Sequence, residues 1–335
     1  MVFNFKNSSK NSIIIDRMAK NFDLISQKAL LPPGVLTMDR LDDVETLLVS
    51  QATSQFCRCL CTQPSINFTL TEGKTNVSPV DQVRQNELGE VGAWIAEEAS
   101  FCGRCLSSCV PGARETKYTV HSGPIPEALR KEEGGCGNPC SCQFGLHSKE
   151  FEGIPPEQLG RVEFTHEKGW TNGVTAGLGD KRVPCCCVMP YMNTKNREGR
   201  HIGKTEYVCD LCLFVPKFDV FDQSNEKKYR IRPDTCFGGM CVRCRCGGDG
   251  GKCLRVPFLI RNLNGEPVKT KMQNGSGDYG DENAQITSLW MGVKRACEKK
   301  NVYAMHFPFD ADANMKATLI GANLLIDMAL FEQEE

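Results

Sequence analysis

The chain has 335 residues, with 40 Lys plus Arg against 41 Asp plus Glu and a formal net charge of −1. Its 40% hydrophobic and 24% charged content supports a large core and excludes wholesale disorder, and the charge balance argues against a protein whose main task is wrapping nucleic acid. The apolar run nearest the start, Ile13-Ile14-Ile15, is far too short for the hydrophobic segment of a signal peptide. The 20 cysteines are therefore expected in a reducing compartment, where thiols ligate metal, carry lipid or pack rather than form structural disulfides.

Residues 1–28 are polar and without sustained periodicity, and they read as a flexible N-terminal tail ahead of one domain over 29–335. After Leu31-Pro32-Pro33-Gly34, the stretch 41–49 combines a start that suits a helical turn with an apolar end that suits a strand. Half-buried strands are predicted by the alternation in 66–70, 117–120, 161–164, 217–221 and 229–231. Between them lie Gly134-Gly135, Pro155-Pro156, the glycines of 247–251 and Asn274-Gly275-Ser276-Gly277. This punctuation suits turns and long loops rather than βαβ crossovers, and 121–160 reads as an inserted loop. The expected fold class is mainly β, a barrel or sandwich in a single domain.

Catalytic patterns are poor. There is no Gly-x-Ser-x-Gly elbow and no phosphate-cradling loop, and Gly177-Leu178-Gly179 lacks the third glycine of a dinucleotide fingerprint. The five histidines, His121, His147, His166, His201 and His306, are scattered and read as surface or hydrogen-bonded core residues. Neither a bond-making enzyme, a small-molecule pocket nor a nucleic-acid partner is expected.

Residues 315–331 are the most apolar segment and predict a helix apolar in every direction except one stripe, Lys316, Asn323 and Asp327. Its core side chains are Met315, Leu319, Ile320, Leu324, Leu325, Ile326, Met328 and Phe331. Asp310, Asp312 and Asn314 precede or open it, where the first turn has free N–H groups to cap. Two modes of burial compete. Seventeen residues span about 25 Å, short of the roughly 30 Å core of a bilayer, and an unpartnered Asp in lipid costs roughly 2.5–3.5 kcal/mol. A protein barrel around the helix is thereby favoured over a membrane span.

The sequence Phe307-Pro308-Phe309-Asp310-Ala311-Asp312, then Met315-Lys316-Ala317, Leu319-Ile320-Gly321-Ala322, Leu325-Ile326-Asp327 and Phe331-Glu332, resembles the ending of the phospholipid scramblase family. The resemblance extends through Trp290-Met291-Gly292, the Cys241-Val242-Arg243-Cys244-Arg245-Cys246-Gly247 cluster, Pro216-Lys217-Phe218-Asp219-Val220 and Ile202-Gly203. It continues to the cysteines at 185, to Cys102, Cys105 and Cys109 after Glu97-Glu98, and to Leu31-Pro32-Pro33-Gly34, so that nearly everything after residue 30 is covered. It implies a tubby-like closed antiparallel barrel of about twelve strands around the hydrophobic C-terminal helix. It also implies ATP-independent, calcium-stimulated exchange of phospholipids between leaflets, at the cytoplasmic face of a membrane such as the plasma membrane.

In the family, calcium sensitivity is assigned to acidic residues just before the helix. Here Lys299, Lys300 and Asn301 occupy matching positions, leaving Asp310 and Asp312, with Asn301 as a further oxygen donor. Met315 and Gly321 stand where an EF-hand loop needs Gly and Glu, so an EF-hand is rejected. Cys185-Cys186-Cys187 match the family's S-acylated run; lipid attachment and simple packing as small hydrophobes both fit three adjacent thiols. Cys209 with Cys212, Cys241 with Cys244, and Cys102 with Cys105 have the spacing of zinc-knuckle pairs, and two pairs brought together would hold a structural zinc. The basic stretches 195–204, 227–232 and 294–300 suit either anionic headgroups or a solvated face. Two alternatives stand beside the scramblase reading: a peripheral, acylated lipid-binding adaptor that moves no lipid, and a zinc-stabilised intracellular scaffold.

Overall fold

A computed structural model describes residues 34–52, 67–73, 91–98, 115–126, 154–169, 175–178, 181–184, 189–208, 215–233, 256–271, 283–289 and 301–331. The chain opens with a short helix α1 (Met38–Leu41) and strands β1 (Thr46–Gln51), β2 (Phe68–Glu72), β3 (Ala93–Glu98) and β4 (Thr116–Ser122). A single helical turn α2 (Pro156–Leu159) precedes β5 (Val162–Lys168). The strands β6 (Thr175–Leu178) and β7 (Lys181–Pro184) pair only with each other. Then come β8 (Tyr191–Asn196), β9 (His201–Val208), β10 (Lys217–Asp222), β11 (Lys227–Pro233), β12 (Val256–Arg261), β13 (Gln285–Ser288) and β14 (Val302–His306), followed by α3 (Ala313–Ile326).

Twelve of these strands close into one barrel, in the order β1-β14-β13-β12-β11-β10-β9-β8-β5-β4-β3-β2. Every neighbouring pair is antiparallel, and the ring shuts where β1 pairs with β14, Leu47 against Met305 and Val49 against Tyr303. The expected closed barrel of about twelve strands is the observed one. Each predicted strand lies within one or two residues of an observed strand, usually a longer one, and 41–49 holds the end of a helical turn and then a strand. The reason for closure is legible in the alternation: Leu47, Val49, Phe68, Leu70, Ile95, Val120, Phe164, Phe218, Val220, Ile231, Phe258, Ile260, Ile286 and Met305 all belong to one buried cluster. Their strand neighbours point the other way.

Barrel diameter grows with strand number, and about eight strands leave room only for side chains. A ring of twelve leaves a space suited to a helix about 10–12 Å across. α3 fills it. All residues from Met315 to Ile326 are buried, Lys316 and Asn323 included, and the helix touches strands from opposite sides of the ring, as its close approaches to β5, β9 and β14 below make plain. It starts two residues earlier than the sequence suggested, because Asp312 caps it, and it ends in a π-helical turn over Asp327–Phe331. The helix is therefore enclosed by protein, and among the described residues no helix is long and apolar enough to cross a membrane.

Candidate functional site

The functional geometry follows the axis of α3. At its start, the Asp312 carboxylate accepts from the Met315 N–H at 2.8 Å, satisfying a free first-turn donor. The Tyr229 hydroxyl on β11 donates to Asp310 Oδ1 at 2.7 Å. Burial and then this carboxylate push the Tyr229 phenol well above its usual range. One turn in, Lys316 is 2% exposed and donates from Nζ to the carbonyls of Asp42 at 2.6 Å and Val44 at 2.9 Å. Its ammonium also lies 5.7 Å from the centre of the Phe307 ring. Burial, and then the charge of Lys271, lower its pKa, while Asp42, Asp43 and Glu45 oppose that shift. Replacing Lys316 with Met keeps the aliphatic length and strips two carbonyls of their donor. Each charge-assisted bond contributes about 1.5–3 kcal/mol, about 3–6 kcal/mol for the two, and relief of the ammonium's desolvation offsets part of that, so K316M is expected to lose roughly 2–3 kcal/mol, read as a lower urea midpoint at unchanged slope.

Halfway along, the helix runs close to the wall. An added Cβ on Gly203 of β9 would collide with Thr318 Oγ1, and one on Gly321 would stand 2.7 Å from His166 Nδ1. His166, on β5, is fully buried, and its Nδ1 pairs with Thr194 Oγ1 of β8 at 3.0 Å. Burial lowers its pKa to about 3. Asn323 is 0% exposed, and neither of its amide atoms has a hydrogen-bond partner. At the far end Asp327 accepts from the Tyr303 hydroxyl at 2.5 Å and from Asn301 Nδ2 at 2.8 Å. Burial, then the Asp327 charge, raise the Tyr303 phenol well above its usual range. Phe331 packs edge-on against Phe258 and Tyr303.

The anticipated core residues Met315, Leu319, Ile320, Leu324, Leu325, Ile326 and Met328 are all buried, and Phe331 is partly so. The polar stripe Lys316, Asn323, Asp327 faces inward, but only its two ends find partners. Asp310 and Asp312 share the start of the helix, both exposed. Asn301 does not join them: it bonds the helix at Asp327, and fourteen helical residues at about 1.5 Å each separate the two ends. A calcium ion on Asp310 would thus not reach Asn301. Among the described residues no three carboxylate, imidazole or thiol side chains converge on a metal position. Two carboxylates alone fall short of the six to eight oxygens calcium takes. Cys185, Cys186, Cys187, Cys209, Cys212, Cys241, Cys244, Cys102 and Cys105 lie outside the described residues, as do Lys299 and Lys300. The partners of His166 and Lys316 escaped sequence reasoning. Only the helical position of Lys316 hinted at its burial.

The outer wall from β3 to β11 carries paired charges. Lys117 bonds Glu98 at 3.2 Å, Lys195 bonds Glu167 at 2.5 Å, Lys204 pairs with Glu206, and Lys227 bonds Asp219 at 2.9 Å. Arg230 grips the same Asp219 through two bonds of 2.7 and 2.8 Å. Burial alone would raise the Asp219 carboxyl, but the hydrogen bonds from Arg230 and Lys227 outweigh it and hold the pKa below the usual range. The basic residues of 195–204 and 227–232 therefore belong largely to a solvated, ion-paired face. A barrel that crosses a membrane carries an apolar outer band instead.

Fold and axis together define a helix-cored, closed antiparallel β-barrel protein with a charged outer wall. The family model described as Scramblase matches residues 177–333, the stretch that supplies β8 to β14 and the central helix. By that match residues 177–333 are similar to the scramblase family. Phospholipid scramblase 1 from Homo sapiens is 31% identical over 150 residues, covering 44% of this chain and 38% of that protein. Phospholipid scramblase 2 from Bos taurus is 27% identical over 151 residues, covering 44% and 42%. Phospholipid scramblase family member 5 from Homo sapiens is 27% identical over 149 residues, covering 44% and 45%. The aligned part thus spans about two fifths of the length of these relatives. No solved structure gives a significant match. Of the resemblance read from residue 30 onward, the family model covers residues 177–333.

Proposed function

We propose that the chain acts on membrane phospholipids as a scramblase-like protein, moving them between leaflets in both directions without ATP. The observation that carries this reading is the match over 177–333 to a family whose relatives here are named phospholipid scramblases. That segment holds the central helix and seven of the twelve barrel strands, β8 to β14. The working position is the cytoplasmic face of a membrane, the plasma membrane first among them, with acyl chains on Cys185, Cys186 and Cys187 as the anchor. A single chain binds only marginally, and two or three bind stably. Calcium stimulation rests on Asp310 and Asp312.

A second reading, a peripheral lipid-binding adaptor that moves no lipid, draws on two observations: the enclosed helix and the ion-paired wall. Purified full-length chain reconstituted into asymmetric fluorescent-lipid vesicles separates the two. A scramblase equalises the leaflets within the assay, whereas binding with an unchanged leaflet distribution removes translocation and leaves the adaptor. The same assay with and without calcium tests Asp310 and Asp312: equal rates sink the calcium part of the reading. Hydroxylamine-sensitive labelling of cells tests the anchor, and its absence at 185–187 leaves those thiols a packing role.

A further inference from the structure

We infer that one end of the barrel, the end where α3 begins, is the face that rests on the membrane, with Leu263 and Phe309 inserted among the lipids. The inference rests on the membrane reading above and assigns it a surface. Among the described residues, Leu263 at 64% and Phe309 at 55% are the large apolar side chains left exposed. They come to the same end. β12 and β14 both pair antiparallel with β13, so they run in the same direction and deliver their following loops to one rim. Leu263 lies in the turn after β12, and Phe309 lies after β14. The two loops are joined by the bond from the Phe309 N–H to the Lys269 carbonyl at 3.0 Å.

Both tips are braced. The Asn262 side chain accepts from the N–H groups of Asn264 at 3.0 Å and Glu266 at 2.9 Å, and the Arg261 guanidinium donates to the Gly265 carbonyl at 2.8 Å. The turn therefore holds Leu263 outward at little further ordering cost on binding. Across 261–271 the charges are Arg261, Lys269 and Lys271 against Glu266, with Lys269 and Lys271 exposed. Apolar tips flanked by lysines match a bilayer containing anionic phospholipid, the tips entering the interface and the ammonium groups staying at headgroup level. Asp310 and Asp312 share this rim; one is bonded to Tyr229 and the other to the helix N-terminus. The charged, paired wall leaves the end rather than the side as the docking face.

The test is co-sedimentation of the full, unacylated chain with phosphatidylcholine vesicles with and without phosphatidylserine. Burial of each apolar tip is worth roughly tenfold in binding. L263S/F309S is thus expected to bind far more weakly to both vesicle types, with unchanged thermal stability because both positions are exposed. K269E/K271E is expected to lose the gain from phosphatidylserine, roughly fivefold for each lysine. The added indole of F309W should shift its emission to the blue on binding and be quenched by lipids brominated near the headgroup. If the wild-type chain sediments with neither vesicle type, the membrane reading and the rim both fall. If the wild type binds while both double variants bind equally well, or the added indole of F309W is not quenched, only the rim falls.

Discussion

Adding one methyl group to Gly321 is expected to destabilise this protein, although Gly-to-Ala in an ordinary helix stabilises by about 0.8–1 kcal/mol. The sign reverses because the helix has no free side. The added Cβ would stand 2.7 Å from His166 Nδ1, 3.1 Å from His166 Cε1 and 3.1 Å from Thr194 Oγ1, and the ring is itself fixed by its bond to Thr194. Gly203 on the facing strand is tighter still, with Thr318 Oγ1 the nearest atom, then Thr318 Cγ2 at 2.9 Å and the Phe221 carbonyl oxygen at 2.9 Å. Overpacking of this kind costs about 1–3 kcal/mol, and G203A is expected at the upper end. The double variant G203A/T318A separates packing from backbone. Two of the three near atoms vanish with Thr318, so part of the loss returns, while the Phe221 carbonyl stays. Urea unfolding of the four proteins in this cycle reads the coupling, expected at about 1 kcal/mol or more for residues in contact. A G321A variant as stable as the wild type, or additive effects at 203 and 318, would show that the helix does not approach this wall as described.

Those glycines also mark the boundary of what the sequence could convey. The helix was legible because its apolar side chains point in every direction, a pattern that admits only burial on all sides. The barrel was legible because short alternating strands separated by turns have few other ways to hide one face each. The polar stripe was legible as a stripe, since Lys316, Asn323 and Asp327 recur at helical spacing. Its partners were not. Lys316 meets Asp42 and Val44, which lie 274 and 272 positions away in the chain, and nothing local in either segment announces the other. The choice of calcium donors failed at Asn301 for the same reason: nearness in sequence to Asp310 hid the fact that β14 carries the chain from one end of the barrel to the other between them. His166 gave no signal beyond its place in a strand, because the low pKa arises from burial, and burial belongs to the closed ring.

A buried lysine, a buried aspartate and a buried amide inside an otherwise apolar barrel do different work. The Lys316 ammonium ties α3 to the turn between α1 and β1, and Asp327 ties its far end to β14 through Tyr303 and Asn301. One anchor lies just before the first barrel strand and the other on and just before the last, the two strands whose pairing closes the ring. They fix the axial position of a helix whose apolar faces could otherwise slide. Asn323, with no partner for its amide, adds no such anchor, and burying an unpaired amide costs about 1–3 kcal/mol. The axial register therefore rests on the two charged ends.

The stability of the protein is expected to fall by about 1.4 kcal/mol for each pH unit below 6.5, from His166 alone. The imidazole is buried against Gly321 with Nδ1 paired to Thr194, and burial lowers its pKa from 6.5 to about 3. Between these two values the unfolded chain carries a proton on this side chain that the folded chain does not, so acid draws the equilibrium toward unfolding. Above pH 6.5 neither state is protonated and the contribution vanishes; below about pH 3 both are, and no further loss accrues. Between pH 6.5 and 4.5 the term amounts to roughly 2.5 kcal/mol, a sizeable share of the 5–15 kcal/mol that holds a typical domain together. Carboxylates also titrate in this window, so the wild type is compared with H166Q, which keeps a polar side chain beside Thr194 and cannot take up a proton. Urea unfolding of both at half-unit steps from pH 7 to 4.5 should give a wild-type curve that is steeper, the two drawing together as the pH falls. Parallel curves would mean that His166 is already able to bind a proton in the folded barrel, and that the wall around α3 is open to water.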